Sequence, residues 1–153
     1  MHEVKFTFLD KNLSDQDKSL LVPKRKSEWA SGFDLASASH EEIIIKPQEC
    51  MLVPTGIAIM LLPGFEAQIR SRSGLSLNHN IVVLNSPGTI DADYRGEIKI
   101  ITMNFGKENF RVTFGMRIAQ MVIAQVCNFQ AVEILELDES KRGISGFGST
   151  GLH

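Results

Sequence analysis

The sequence predicts an all-β domain, a jelly-roll-like barrel or sandwich with one short helix and a flexible glycine-rich C-terminal arm. Two observations carry that reading. Apolar and polar residues alternate with period two, as in Val4-Lys5-Phe6-Thr7-Phe8 and Phe65-Glu66-Ala67-Gln68-Ile69-Arg70, the signature of half-buried strands. Turn residues separate the runs, among them Pro63-Gly64, Ser86-Pro87-Gly88 and Gly115, as expected for a sandwich or barrel. No repeat or heptad interrupts this pattern.

The elements follow in order. After the opening strand, residues 15–20 suit a turn. Runs at 43–45, 57–62 and 65–70 read as strands. SRSGLSLNHN (71–80) is the one stretch suited to a helix inside the body. Further strands are expected at 81–84, 98–102, 111–114, 117–126 and 132–137. We divide the chain into a folded domain, 1–138, and an arm, 139–153. A sheet protein of this size must hide its edges, by closure or by association with copies of itself.

The 153 residues suffice for one domain with a real core. Hydrophobic residues make up 43% and charged residues 22%, ordinary for a globular protein. The net charge of -2 lacks the basic excess of a non-specific nucleic-acid binder. The opening MHEVKFTFLD is charged and already strand-like, unlike a signal peptide. The greasiest stretch, 51–65, is broken by Pro54, Gly56 and Pro63-Gly64 and is too short to span a membrane. A soluble, cytoplasmic protein with no nucleic-acid or membrane partner is expected. Cys50 and Cys127 form no CxxC pair and read as buried thiols; the four histidines show no zinc spacing.

Five stretches could carry chemistry. In SGFDLAS (31–37), Asp34 suits a turn cap before a strand. In QIRSRSGLS (68–76), Arg72, Ser73 and Gly74 at a helix start form either an anion site or an ordinary Ser cap with solvated arginines. NSPGTIDADYRGEIKI (85–100) looks like a hairpin between flanking strands. An aspartate there serves an Asx turn, or orients and deprotonates a water if cations stabilise the developing charge. In FGMRIAQMVI (114–123), Arg117 and Gln120 fall on opposite faces of a regular strand, unless it bulges. Arg117 suits a structural ion pair, whereas Gln120 on an apolar face needs partners. RGISGFGSTG (142–151) has glycines and hydroxyls whose N–H groups could cradle phosphates, but lacks GxxxxGK.

In this order and spacing, SGFDL, RSG, GTIDADYRGE, GxRxAQ and RGxxGFGSTG resemble the five motifs of the trimeric deoxyuridine triphosphate nucleotidohydrolases, the dUTPases. The resemblance runs from about Ala30 to Gly151. It implies a jelly roll, a homotrimer with shared active sites, and an arm that closes over a neighbour's site. The implied reaction is Mg²⁺-assisted attack of water on the α-phosphate of dUTP, giving dUMP and pyrophosphate. Such a reaction keeps uracil out of DNA and supplies dUMP for thymidylate synthesis.

Carried over by position, the resemblance makes Asp91 the residue that activates water. Tyr94 packs against the deoxyribose and excludes a 2′-hydroxyl. Asn85, Gly88, Thr89 and Ile90 belong to the hairpin that reads uracil, with Lys99 on its returning strand. Arg72, Ser73, Gly74 and Gln120 bind phosphates, as do Arg142, Gly148, Ser149 and Thr150 of the arm, and Phe147 stacks on the base. Asp34 is a supporting residue that touches Mg²⁺ through water at most; the metal is held chiefly by substrate phosphates. Two departures stand out: Ser71 replaces the family's usual Pro before Arg-Ser-Gly, and Ser31 replaces its Ala. Competing readings are a dCTP deaminase of the same superfamily, a nucleotide-binding sensor without turnover, and a structural oligomer.

Overall fold

The computed structural model describes residues 3–145. Its elements are β1 (Lys5–Phe8), α1 (Asp15–Leu21), β2 (Gly32–Ala36), β3 (Ile43–Ile45), β4 (Cys50–Pro54), β5 (Ile57–Met60), β6 (Phe65–Arg70), α2 (Ser73–His79), β7 (Ile81–Val83), β8 (Gly88–Ile90), β9 (Lys99–Asn104), β10 (Phe110–Val112) and β11 (Arg117–Gln125). All pairings are antiparallel. One sheet has the order β2-β11-β6-β8 and another β4-β9-β7, and two ribbons, β1-β5 and β10-β3, complete the jelly-roll-like frame.

Period-two alternation becomes inside and outside. Ala67 and Ile69 of β6 and Ile100 of β9 point inward and are buried, with polar or half-exposed residues between them. They share one core with Leu35, Val53, Val112 and Met121, drawn from both sheets and a ribbon. Burying each such side chain contributes about 1.5–3 kcal/mol. The few buried polar groups are bonded: Asn104 Nδ2 donates to the Ile45 and Glu108 carbonyls at 2.9 and 2.8 Å. Among the described residues, no helix is long and apolar enough to cross a membrane.

Four local expectations need correction. Residues 15–21 form a helix rather than a turn, because Ser14 caps it by accepting the Asp17 N–H and Leu21 is buried beneath it. Residues 132–137 form no strand; they pair with no neighbour among the described residues, and Val132, Ile134, Leu135 and Leu137 are exposed. Cys50 and Cys127 are exposed, not buried. Cys50 opens β4, an edge strand whose first three residues face solvent, and Cys127 lies past the end of β11. Asp34 sits inside β2 rather than capping a turn.

Candidate active site

Asp34 lies between two arginines. Its Oδ2 accepts from Arg117 Nη1 at 2.8 Å, and its Oδ1 lies 3.4 Å from Arg72 Nε. Arg72 Nη1 also donates to the Arg117 carbonyl at 2.7 Å. Arg117 therefore makes the structural ion pair its position suggested, and Asp34 holds both guanidiniums in place. The carboxylate is 16% exposed, so the pair is partly desolvated and stronger than a surface bridge.

The pairing with β2 skips one residue of β11: Arg117 faces Ala36, Ala119 faces Leu35 and Gln120 faces Asp34. Ile118 is the extra residue of this β-bulge. Since Ala36 and Asp34 share a face of β2, the bulge brings Arg117 and Gln120 to the same face despite their odd spacing.

Gln120 Nε2 donates to the Ser71 carbonyl at 2.9 Å. Diagonally across on β2, Gly32 leaves the room this needs: a Cβ there would lie 2.5 Å from Gln120 Oε1. Ser71 answers for the missing Pro with its own side chain, whose Oγ accepts the Val83 N–H at 2.8 Å. The turn leading into α2 is thus tied to β11 on one side and to β7 on the other. Arg72, not Ser73, occupies the helix cap, and its side chain makes no capping hydrogen bond. The ordinary Ser-cap reading of this turn therefore fails, and the Ser73 side chain is exposed.

The third stretch builds a separate pocket. β7 pairs with β9 as the two arms of the expected hairpin, and between them β8 crosses to pair with β6 in the other sheet. Asn85 packs against Gly88 at the start of β8, where an added Cβ would lie 3.0 Å from Asn85 Nδ2. From β8 onward, Thr89, Ile90, Asp91, Tyr94, Glu97 and Lys99 line an open pocket of about 350 Å³, together with Leu52 and Ile101. The Tyr94 N–H donates to the Asp91 carbonyl at 3.1 Å and its hydroxyl to the Glu97 carbonyl at 3.1 Å. The ring lies over Gly96, where any Cβ would collide with it.

The chain brings Asp34, Arg72, Arg117 and Gln120 together, and Thr89, Ile90, Asp91, Tyr94 and Lys99 together, but does not merge the two groups. β6 explains why. Its Arg70 end abuts Gln120 and leads into Ser71, whereas Ile90, next to Asp91, is paired with Ala67. At least about 10 Å of strand separates those positions. In the arm, Arg142 Nε donates to the Ser145 carbonyl at 2.8 Å. Phe147, Gly148, Ser149 and Thr150 lie outside the described residues. Sequence reasoning missed Glu97, which lines the Asp91 pocket; its spacing of two from Lys99, on a returning strand, was the available signal.

The dUTPase family model matches residues 18–151, a span that includes all five stretches. The chain belongs to the dUTPase family. It is 54% identical over 139 residues to the deoxyuridine 5'-triphosphate nucleotidohydrolase of Thermoanaerobacter sp. (strain X514), covering 91% of this chain and 94% of that one. It is 55% identical over 131 residues to the Rickettsia felis (strain ATCC VR-1525 / URRWXCal2) protein of the same name, covering 86% and 88%. Among solved structures, it resembles a mutant dUTPase of Staphylococcus bacteriophage 80alpha with dUpNHpp, at TM-score 0.85 and 26% identity over 99% of this chain and all of that one. A mutant dUTPase from phage phi11 of S. aureus, described with a structural Mg(II) ion, shares the fold at TM-score 0.76 and 21% identity, over 90% and 99% of the two chains.

Proposed function

We propose that the protein is a dUTP diphosphatase, hydrolysing dUTP to dUMP and pyrophosphate in the cytoplasm. The observation that carries this reading is the Asp91 pocket, where a solvent-open carboxylate stands beside Tyr94 and Lys99. Asp91 orients a water and takes its proton as the oxygen attacks the α-phosphorus. The bond from that phosphorus to the bridging oxygen breaks, and the electron pair leaves on pyrophosphate. Arg72, the turn at Ser73-Gly74 and Gln120 stabilise the charge that builds on the phosphates. Tyr94 walls off the position of a 2′-hydroxyl, and the 85–90 segment reads the base with Lys99 near it.

Among the described residues, no three His, Cys, Asp or Glu side chains converge on a point where a metal ion could sit. The donor set fits Mg²⁺ held mainly by phosphate oxygens and water, the usual manner of nucleotide-bound Mg²⁺, with Asp34 reaching it through water at most. When bound on the triphosphate, Mg²⁺ neutralises charge on the phosphate oxygens.

The separation of the two residue groups along β6 supports a site completed by another copy of the chain, in a homotrimer. The arm, residues 139–153, closes over that site, with Arg142 and residues 148–150 on the outer phosphates and Phe147 on the base.

The deciding assay is pyrophosphate release with Mg²⁺ across dUTP, dTTP, dCTP and UTP. Turnover of dUTP alone is expected. Tight dUTP binding without pyrophosphate release would instead make the protein a sensor. Native mass measurement tests the trimer, and a monomer at micromolar concentration would sink the shared site. Phe147→Ala is expected to lower kcat/KM while leaving the assembly intact.

A further inference from the structure

We infer that Glu97 is a positioning residue that sets the discrimination between deoxyribo- and ribonucleotides; this rests on the function proposed above. Among the described residues Glu97 is the one glutamate lining the Asp91 pocket, and its side chain is 21% exposed. It makes three connections. Its Oε1 accepts the Gly56 N–H at 3.0 Å, its Oε2 lies 3.5 Å from Lys99 Nζ, and its backbone carbonyl accepts the Tyr94 hydroxyl. One residue thus anchors both the wall of the pocket and its cation to the turn between β4 and β5.

That turn is a rigid anchor. Gly56 has φ +66°, and a Cβ there would lie 2.8 Å from the Ala38 Cβ, so its backbone is pressed against its neighbour. Thr55 and Ile57, on either side of Gly56, are bonded to Ile98, the residue after Glu97. The Thr55 N–H and hydroxyl both donate to the Ile98 carbonyl, and the Ile98 N–H donates to the Ile57 carbonyl at 2.9 Å. Glu97 carries this rigidity outward to the exposed Tyr94.

Rigidity matters because exclusion by a wall works only if the wall does not yield. Tyr94 is 43% exposed, so its ring is not held by burial alone against an added hydroxyl. Gly96 beneath the ring and the Glu97 carbonyl at its tip fix its place, and both belong to the strip that Glu97 Oε1 pins. If the pin is lost, the strip shifts, the ring retreats and a ribose fits.

The test measures kcat/KM for dUTP and UTP in Glu97→Ala, Glu97→Gln and Glu97→Asp, with thermal melting to monitor folding. The ratio of dUTP to UTP is expected to fall about tenfold in Glu97→Ala, the scale of one lost part-buried hydrogen bond to a charged group. Glu97→Gln keeps an acceptor for the Gly56 N–H, so its ratio stays within about threefold of the parent. Glu97→Asp, one methylene short, loses the reach and falls with Ala; it replaces Ala should that variant not fold. An unchanged ratio in Ala or Asp, even with both rates lower, overturns the inference. So does a Gln variant that falls as far as Ala, because the Lys99 pairing would then be what matters. A parent with no dUTP turnover fails the proposed function instead; the same ratio, read from binding of non-hydrolysable dUTP and UTP analogues, then judges Glu97.

Discussion

The two residue groups differ in how their polar atoms are satisfied. Around Asp34 the cluster is closed on itself: Arg72 and Arg117 share one carboxylate, Arg72 also bonds a backbone carbonyl, and Gln120 bonds Ser71. Around Asp91 the protein supplies a frame but leaves the reactive group open. Among the described residues the Asp91 carboxylate accepts no hydrogen bond, while the neighbouring turn is tied down through Tyr94 and Glu97. The first region is pre-arranged donor machinery, whose orientation costs little when an anion arrives. The second is a vacancy with stiff walls, as a positioned water and a sugar require.

The sharpest way to break this contrast is at the open group. Asp91→Asn keeps the shape and removes the proton acceptor. We expect kcat to fall by roughly 10²–10⁴-fold, with the affinity for a non-hydrolysable dUTP analogue nearly unchanged by calorimetry. Equal losses in rate and affinity would show that Asp91 binds rather than activates. In the closed cluster, Asp34→Ala frees two guanidiniums at once. Its expected effect is a rise in KM of roughly tenfold, from misplaced Arg72, with a smaller change in kcat. A kcat loss as large as that of Asp91→Asn would make Asp34 part of the chemistry instead.

Much of this was legible in the sequence, and the failures have physical causes. Alternation located β6 because one face of that strand is buried, whereas β1, which alternates as well, buries no residue fully. Residues 132–137 form an apolar run too, yet find no partner among the described residues, and an apolar run cannot report whether a partner exists. The odd spacing of Arg117 and Gln120 argued against cooperation until the bulge at Ile118 changed the register, which no local propensity announces. Ser71 stands where the family usually has Pro; its Oγ bond to Val83 joins residues 12 apart and is invisible in a motif. Glu97 escaped because its partner, Gly56, is 41 residues away.

A smaller effect probes the packing behind the closed cluster. In Gly32→Ala the new methyl overlaps the Gln120 amide. The amide is the end of a flexible side chain, so the fold survives and Gln120 swings off Ser71. We expect KM to rise about threefold to tenfold with kcat nearly kept, the cost of one donor misplaced on a phosphate. If steady-state kinetics are unchanged, Gln120 does not touch substrate.

Ser71 gives the smallest and most specific effect. In Ser71→Ala the Val83 N–H loses its acceptor at a part-buried position. That should cost about 1 kcal/mol, a fall of about 2–4 °C in melting temperature for a domain near this size. The consequence for activity depends on where the two regions meet. Val83 ends β7 just before the 85–90 segment, and Ser71 precedes Arg72, so this bond joins the base-reading side to the phosphate side. If the join transmits position, Ser71→Ala raises KM for dUTP, and Ser71→Thr, which keeps the hydroxyl, restores it. Ser71→Pro separates stiffness from bonding: proline fixes φ but offers no side-chain acceptor. A proline variant that melts and turns over like the parent would show that a stiff turn suffices. One that behaves like alanine would show that the two regions are held together by the bond itself.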